Sequence, residues 1–254
     1  MSSTSLILAG AAGAAAAYYY CCVLRKKASF KSIKVTYFPI QAVAEPIRLA
    51  LTLTGTPFED ERVPFKEWQT RKPTTKYGQM PILTVDGTEY YQSGAMLRWV
   101  GANCGDGSLY PVDDPWKMYD VDEMIGLVDD LAKAWMPGLY MGMRPSTFGY
   151  PEDWPEEQKK AKVKEMREKF VSDPTLLPQY LKYFSARLAK TPFLCGEKPT
   201  IADLRLLPQL RYFQKGTADF VPKTVLDAHP YITQYITRML ALPPIKAWYA
   251  VEGH

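Results

Sequence analysis

An α/β domain followed by an all-helical domain, with a membrane-length apolar helix ahead of both, is the architecture this sequence predicts. Three observations point there. Strand-like alternation at 33–37 and an Asp86-Gly87 hairpin signal fall early in the body of the chain. Beyond a Gly-, Pro- and Asp-rich stretch at 105–114 the strand signals vanish and helix starts replace them. Before the body, residues 6–24 carry no charge. The boundaries follow as 1–30 for the apolar anchor or targeting segment with its basic flank, 31–107 for the α/β domain and 108–254 for the helical domain.

The head spans roughly the 20 residues that a helix needs to cross a bilayer core. Arg25, Lys26 and Lys27 follow it directly, and no basic side chain precedes it. By the positive-inside rule the expectation is a membrane-anchored protein with its globular body in the cytosol. Tyr18, Tyr19 and Tyr20 sit where an interfacial aromatic belt lies, and Cys21 and Cys22 are candidates for acylation. The alternative is a cleaved targeting peptide with a soluble mature protein. Against it, a secretory signal carries its basic residues before the apolar core, not after.

In the body, Ile33, Val35 and Tyr37 alternate with polar residues as a first strand, and Pro39 ends it. Glu45-Pro46 opens a helix whose apolar residues run to a C-terminal Gly55. Residues 58–63 read as a second strand. Ile82 to Val85 and Thr88 to Tyr91 form a hairpin, and a helix from Ser93 to about Asn103 closes the unit. The order β-α-β then β-β-α is thioredoxin-like. Asp114-Pro115 starts the helical half, with Asp as N-cap and Pro at the first helical position. Further helices start near 156, 175, 200, 229 and 244. Thr200-Ile201-Ala202-Asp203 fits a capping box in its Asp variant, and Pro208 is expected to kink the helix that it opens.

Composition narrows the function. The chain has 254 residues, is 47% hydrophobic and carries a formal charge of +4, too little to argue for a nucleic-acid partner. The run 156–169 is a mixed-charge helical face, best read as solvated surface. Four Cys and two His form no CxxC or Cys/His ligand set, so metal chemistry and a disulfide scaffold are not expected.

The chemistry concentrates in two short motifs. Gly78-Gln79-Met80-Pro81 precedes the strand Ile82-Leu83, where a proline belongs to a turn and is often cis. A cis Met80–Pro81 bond turns the Met80 backbone toward an extended peptide. Gln92-Ser93 then stand at a helix start, where Ser is a good N-cap and free N–H groups hold a carboxylate. A backbone edge beside an anion site suits a small acidic peptide.

Together these motifs resemble the glutathione site of cytosolic glutathione transferases, and the resemblance extends over about 31–251. Val35-Thr36-Tyr37-Phe38 and Ala44-Glu45-Pro46-Ile47-Arg48-Leu49 look like the first strand and helix of the sigma-like, tyrosine-type classes. Trp68, Gln92-Ser93, the capping box, His229-Pro230 and Ala241-Leu242-Pro243 follow at the family's spacing. The resemblance implies a homodimeric, detoxifying transferase that adds the glutathione thiolate to a small electrophilic or lipophilic substrate. Glutathione is the co-substrate, and no further cofactor is implied.

The resemblance assigns Tyr37 as the catalytic hydroxyl that hydrogen-bonds the thiolate. Trp68 and Lys72 meet the glycine end of glutathione. Gln79, Met80 and Pro81 form the turn beside its cysteinyl residue, and Gln92 and Ser93 take the γ-glutamyl carboxylate. Asp129 resembles an acid that reaches across the dimer to the γ-glutamyl ammonium; a solvated helix charge explains it equally well. Tyr37, Phe38, Ile40, Trp135, Met136, Tyr140 and Met143 are candidates for the acceptor pocket, although the helical residues among them fit a core as well.

One departure stands out. Sigma-class relatives carry Arg six residues after the tyrosine, and here that position is Val43; Gln41 replaces another common basic residue. Fewer positive charges near sulfur predict a less depressed thiol pKa. This keeps a second reading open, a membrane-tethered binding or structural protein that retained the fold and lost turnover.

Overall fold

A computed structural model describes residues 30–251. Its first half is a four-stranded sheet in the order β2-β1-β3-β4. β1 is Ile33–Tyr37, β2 is Glu59–Arg62, β3 is Ile82–Val85 and β4 is Thr88–Tyr90. β1 pairs parallel with β2 and antiparallel with β3, as a βαβ unit followed by a hairpin requires. Asp86 and Gly87 take φ of 49° and 82°, the two positive values that a two-residue hairpin turn needs. The Asp86 carboxylate also accepts the Lys31 and Ser32 N–H groups at 2.7 and 2.9 Å, which ties the hairpin to the start of β1.

Helix α1 (Glu45–Leu53) crosses between β1 and β2 and ends at Gly55, whose φ of +65° favours glycine. A short helix α2 (Phe65–Arg71) follows β2; sequence periodicity had not marked it. α3 (Ser93–Asn103) closes the half. The helical half holds α4 (Pro115–Tyr140), α5 (Glu156–Ser172), α6 (Leu177–Leu188), α7 (Ile201–Gln214), α8 (Pro230–Ala241) and α9 (Pro243–Ala250). α4 packs on α5 and α7, while α7 and α9 both pack on α1, so one apolar core runs through both halves. At the seam, a Cβ on Gly101 of α3 would stand 2.6 Å from Ile201 Cγ2 and 2.9 Å from Tyr110 Cβ; only glycine admits this approach.

The capping box forms as the sequence predicts. Asp203, fully buried, accepts the Thr200 N–H at 2.8 Å and the Thr200 hydroxyl at 3.1 Å. It also accepts the Leu194 N–H at 2.9 Å, and Tyr235 donates to its carbonyl at 3.0 Å. The cap therefore fixes the preceding loop and α8 as well as α7. Pro208 lies buried inside α7.

The expectation of a membrane-anchored protein is corrected. Among the described residues no helix is long and apolar enough to cross a membrane. The longest, α4, has 26 residues but carries Lys117, Asp120, Asp122, Glu123, Asp129, Asp130 and Lys133 along its length. Charges at that density are incompatible with hydrocarbon. Residues 6–24, to which the anchor was assigned, lie outside the described residues.

Asp203→Ala should lower unfolding free energy by about 2–4 kcal/mol, because it strands two buried N–H donors and removes a helix cap. Urea denaturation checks this; a loss below about 1 kcal/mol would show that the loop and α7 do not depend on this carboxylate.

Candidate functional site

The site gathers at the C-terminal end of β1. The Tyr37 carbonyl accepts the Val63 N–H at 2.7 Å, which holds the tyrosine backbone in the sheet to its last residue. The residue is buried, 7% exposed, and the turn that carries Val43 follows it. Val43 belongs to the single turn Ala42–Ala44, and Ala42 adopts φ of 38°, a left-handed value unusual for a residue with a Cβ. Burial, with Tyr140 from α4, raises the Tyr37 pKa above its ordinary value; Arg48 and the Val43 N–H oppose the shift. The balance keeps this hydroxyl a donor.

Beside Tyr37 an aromatic shelf forms. The Phe38 ring stacks on Phe65 at 4.4 Å between centroids and meets Trp68 edge-on at 6.0 Å. Phe65 and Trp68 both come from α2, so this short helix brings Trp68 to the site.

The β1–β3 register pairs Thr36 with Ile82. The residues just before Ile82, Met80 and Pro81, therefore run alongside Tyr37, and their peptide bond is cis. Gly78, at φ of +61°, brings the same turn against the Lys72 stem, 3.5 Å from where its Cβ would stand. The turn is tied to the next motif: the Lys76 N–H donates to the Tyr91 hydroxyl at 3.3 Å, and Tyr77 packs edge-on against Tyr91 at 5.4 Å. Gln92 follows at φ 75° and ψ 101° and occupies the capping position of α3 without a side-chain cap. Ser93, expected at that position, is instead the first helical residue. The leading N–H groups of α3 thus face outward beside the hydroxyl of Ser93, a competent carboxylate site.

The remaining candidates divide. Asp129 forms an ion pair with Arg205 of α7, at 3.0 Å from Nε and 2.8 Å from Nη2. Trp135 is core, 3% exposed, packed on Phe170, Tyr212 and Phe213. Ile40, Met136 and Met143 are exposed, as acceptor-pocket walls must be, and Tyr140 lies close enough to act on the Tyr37 hydroxyl. A cleft of about 360 Å³ lined by Ile33, Thr56 and Cys104 sits at the other end of β1, away from this chemistry.

One residue that sequence reasoning gave no role stands next to Tyr37. Arg48 is fully buried, with its guanidinium 5.8 Å from the centre of the Tyr37 ring. The signal was an arginine between Ile47 and Leu49 in a helix otherwise buried over its first seven residues.

Comparison with known proteins agrees with this geometry. Residues 152–252 match the family described as glutathione S-transferase, C-terminal domain. The chain is similar to glutathione S-transferase 1 of Ascaris suum, 30% identical over 217 residues, covering 85% of this chain and 95% of that protein. It is 28% identical to glutathione S-transferase S1 of Drosophila melanogaster over 223 residues, 85% of this chain and 77% of that protein. Among solved structures it resembles the glutathione S-transferase of Ascaris lumbricoides, with a TM-score of 0.65 at 29% identity, covering 86% and 96% of the two chains. It also resembles prostaglandin synthase D of Nilaparvata lugens, with a TM-score of 0.70 at 26% identity, covering 87% and 98%.

If Tyr37 is a neutral donor, difference titration of wild type against Tyr37→Phe should lose one tyrosinate signal only above pH 10, the ordinary tyrosine value. A Tyr37 signal appearing near neutrality would mean that the hydroxyl ionises instead of donating.

Proposed function

The chain belongs to the glutathione S-transferase family and is a glutathione transferase, and from that premise we propose that Tyr37 is the residue that activates the thiol. The observation that carries the reading is the buried Tyr37 at the end of β1, alongside the cis Met80–Pro81 turn. A hydrogen bond in such a buried setting is electrostatically stronger than in water. Donated to sulfur, it stabilises the thiolate relative to the thiol and lowers the thiol pKa from about 8.5. The thiol proton leaves to solvent. The thiolate then forms a C–S bond to the electrophilic carbon, and the displaced electron pair departs on a leaving group or is protonated.

The peptide lies across the turn in this reading. Trp68 and Lys72 meet its glycine end, with the Lys72 ammonium available for the carboxylate. Gln79 and Pro81 shape the turn, and the backbone of Met80 pairs with the cysteinyl residue. Gln92 and Ser93 receive the γ-glutamyl carboxylate at the start of α3, where uncapped N–H groups support this use. The acceptor pocket is bounded by Phe38, Ile40, Tyr140, Met136 and Met143, which suits a small lipophilic electrophile. Glutathione serves as co-substrate with no further cofactor. The sigma-like, tyrosine-type subclass is supported by Tyr37 at the end of β1 and by the stretch from Ala44 to Leu49. A homodimer, typical of the family, completes the reading; Asp129 is free for the partner's glutathione only if it exchanges Arg205.

Two substitutions separate chemistry from binding. Tyr37→Phe should slow conjugation of a generic electrophile by roughly 10- to 1000-fold while glutathione affinity changes little. Full activity in that variant would remove Tyr37 from the mechanism.

Ser93→Ala should act on binding, weakening glutathione by about 1 kcal/mol or more in calorimetric titration. Unchanged affinity would move the γ-glutamyl group away from α3.

A further inference from the structure

We propose that the junction of α1, α7 and α9 is a binding site for one ordered water molecule, held by Glu45 Oε2, Arg211 Nη1 and the Tyr249 hydroxyl. The inference is independent of the roles given above to Tyr37 and the glutathione-binding residues. It concerns the seam where the helical half meets α1.

α7 and α9 both pack on α1. Each helix brings one buried polar atom that has no hydrogen-bond partner among the described residues: Glu45 Oε2, Arg211 Nη1 and the Tyr249 hydroxyl. Glu45, the first residue of α1, is 1% exposed. Its Oε1 accepts the Trp248 indole N–H at 2.9 Å, which turns the carboxylate toward α9. Its Oε2 stands 3.5 Å from Arg48 Nη1, which donates instead to the Ile40 carbonyl at 2.7 Å. Tyr249 follows Trp248 in α9. Arg211 of α7 lays its guanidinium over the Tyr249 ring, with Cζ 3.5 Å from the ring centre. Burial raises the Tyr249 pKa, Glu45 adds to the rise and Arg211 opposes it, so both side chains lie within electrostatic reach of the hydroxyl.

The stacked geometry blocks the shortest closure. A guanidinium seated on an aromatic face sends its N–H groups alongside the ring, whereas the hydroxyl lies in the ring plane at the rim. Arg211 Nη1 therefore does not donate to the hydroxyl of the ring it covers. A direct bond from Tyr249 to Glu45 would satisfy two of the three atoms and strand Nη1, and a buried charged donor left without an acceptor is the costliest kind.

The three atoms also select their ligand. Nη1 only donates, a carboxylate oxygen only accepts, and a hydroxyl does either. An anion would meet the donors but face Glu45. A metal cation would meet Glu45 but face Arg48 and Arg211. Water accepts from Nη1, donates to Oε2 and has a further site for the hydroxyl. Buried waters make about three such bonds, to polar groups otherwise unsatisfied. Placed here, the water ties α7 to the Glu45–Arg48 pair and gives α9 a second link besides Trp248.

A high-resolution crystal structure of the full chain tests the site directly. One density peak is expected within hydrogen-bond range of Glu45 Oε2, Arg211 Nη1 and Tyr249 Oη. Tyr249 bonded straight to Glu45 with no peak beside them would overturn the proposal, and so would a peak that refines as an anion or a metal ion. Oxygen-17 magnetic relaxation dispersion counts long-lived internal waters in solution. Its amplitude should fall by one water from wild type to the double variant Arg211→Met, Tyr249→Phe, which keeps an apolar contact and removes two of the three partners. Equal amplitude in the two folded proteins would overturn the site. Tyr249→Phe alone, the milder change, should shorten the residence time of that water; an unchanged residence time would remove the hydroxyl from the site and overturn the three-contact arrangement.

Discussion

Helix α1 buries its first seven residues on every side, and the fold is arranged around that requirement. A helix with no exposed face must be covered all round. α3 packs against it from its own half, and α7 and α9 from the helical half. Two of those seven residues, Glu45 and Arg48, are charged, and an unpaired charge at such depth would cost several kcal/mol. They pair with each other at 3.5 Å, and their other partners come from outside α1: Asp60 from the sheet, the Phe38 and Ile40 carbonyls from the loop before the helix, and Trp248 from α9. Satisfying one helix brings together the sheet end, the loop after Tyr37 and the C-terminal helix.

A buried ion pair is weak evidence for stability, because apolar residues of the same volume often do as well. The geometry of Arg48 argues for specificity instead. Its donors fix which way the chain leaves β1 directly after Tyr37. The requirement is local and directional, which a leucine could not meet.

Much of this was legible in the residues. Period-two alternation marked β1, Asp86-Gly87 marked the hairpin, and Thr200 with Asp203 marked a cap that forms as drawn. Each of these signals is carried by residues within a few positions of one another, where propensity and turn chemistry act. What escaped depends on distant partners. Asp129 reads as a solvated or dimer-facing acid until Arg205, 76 positions away, is seen beside it. Trp135 suits a pocket or a core until Phe170 and Phe213 surround it. α2 was missed because seven residues with no buried side chain carry no apolar period, even though they bring Trp68 to the site. The head at 6–24 is legible only through its hydropathy, its basic flank and its tyrosines, all of them local signals.

The loss of the basic residue at 43 looks, in sequence, like a loss of catalytic power. In three dimensions a guanidinium still stands beside the tyrosine, that of Arg48, 5.8 Å from the ring centre and bonded to the Phe38 and Ile40 carbonyls. The loop after Tyr37 is tied through Arg48 to Glu45 and from there to α9. The helical half therefore does more than wall the acceptor pocket. Tyr140 adds to the rise of the Tyr37 pKa, and Trp248 bonds the Glu45 that faces Arg48.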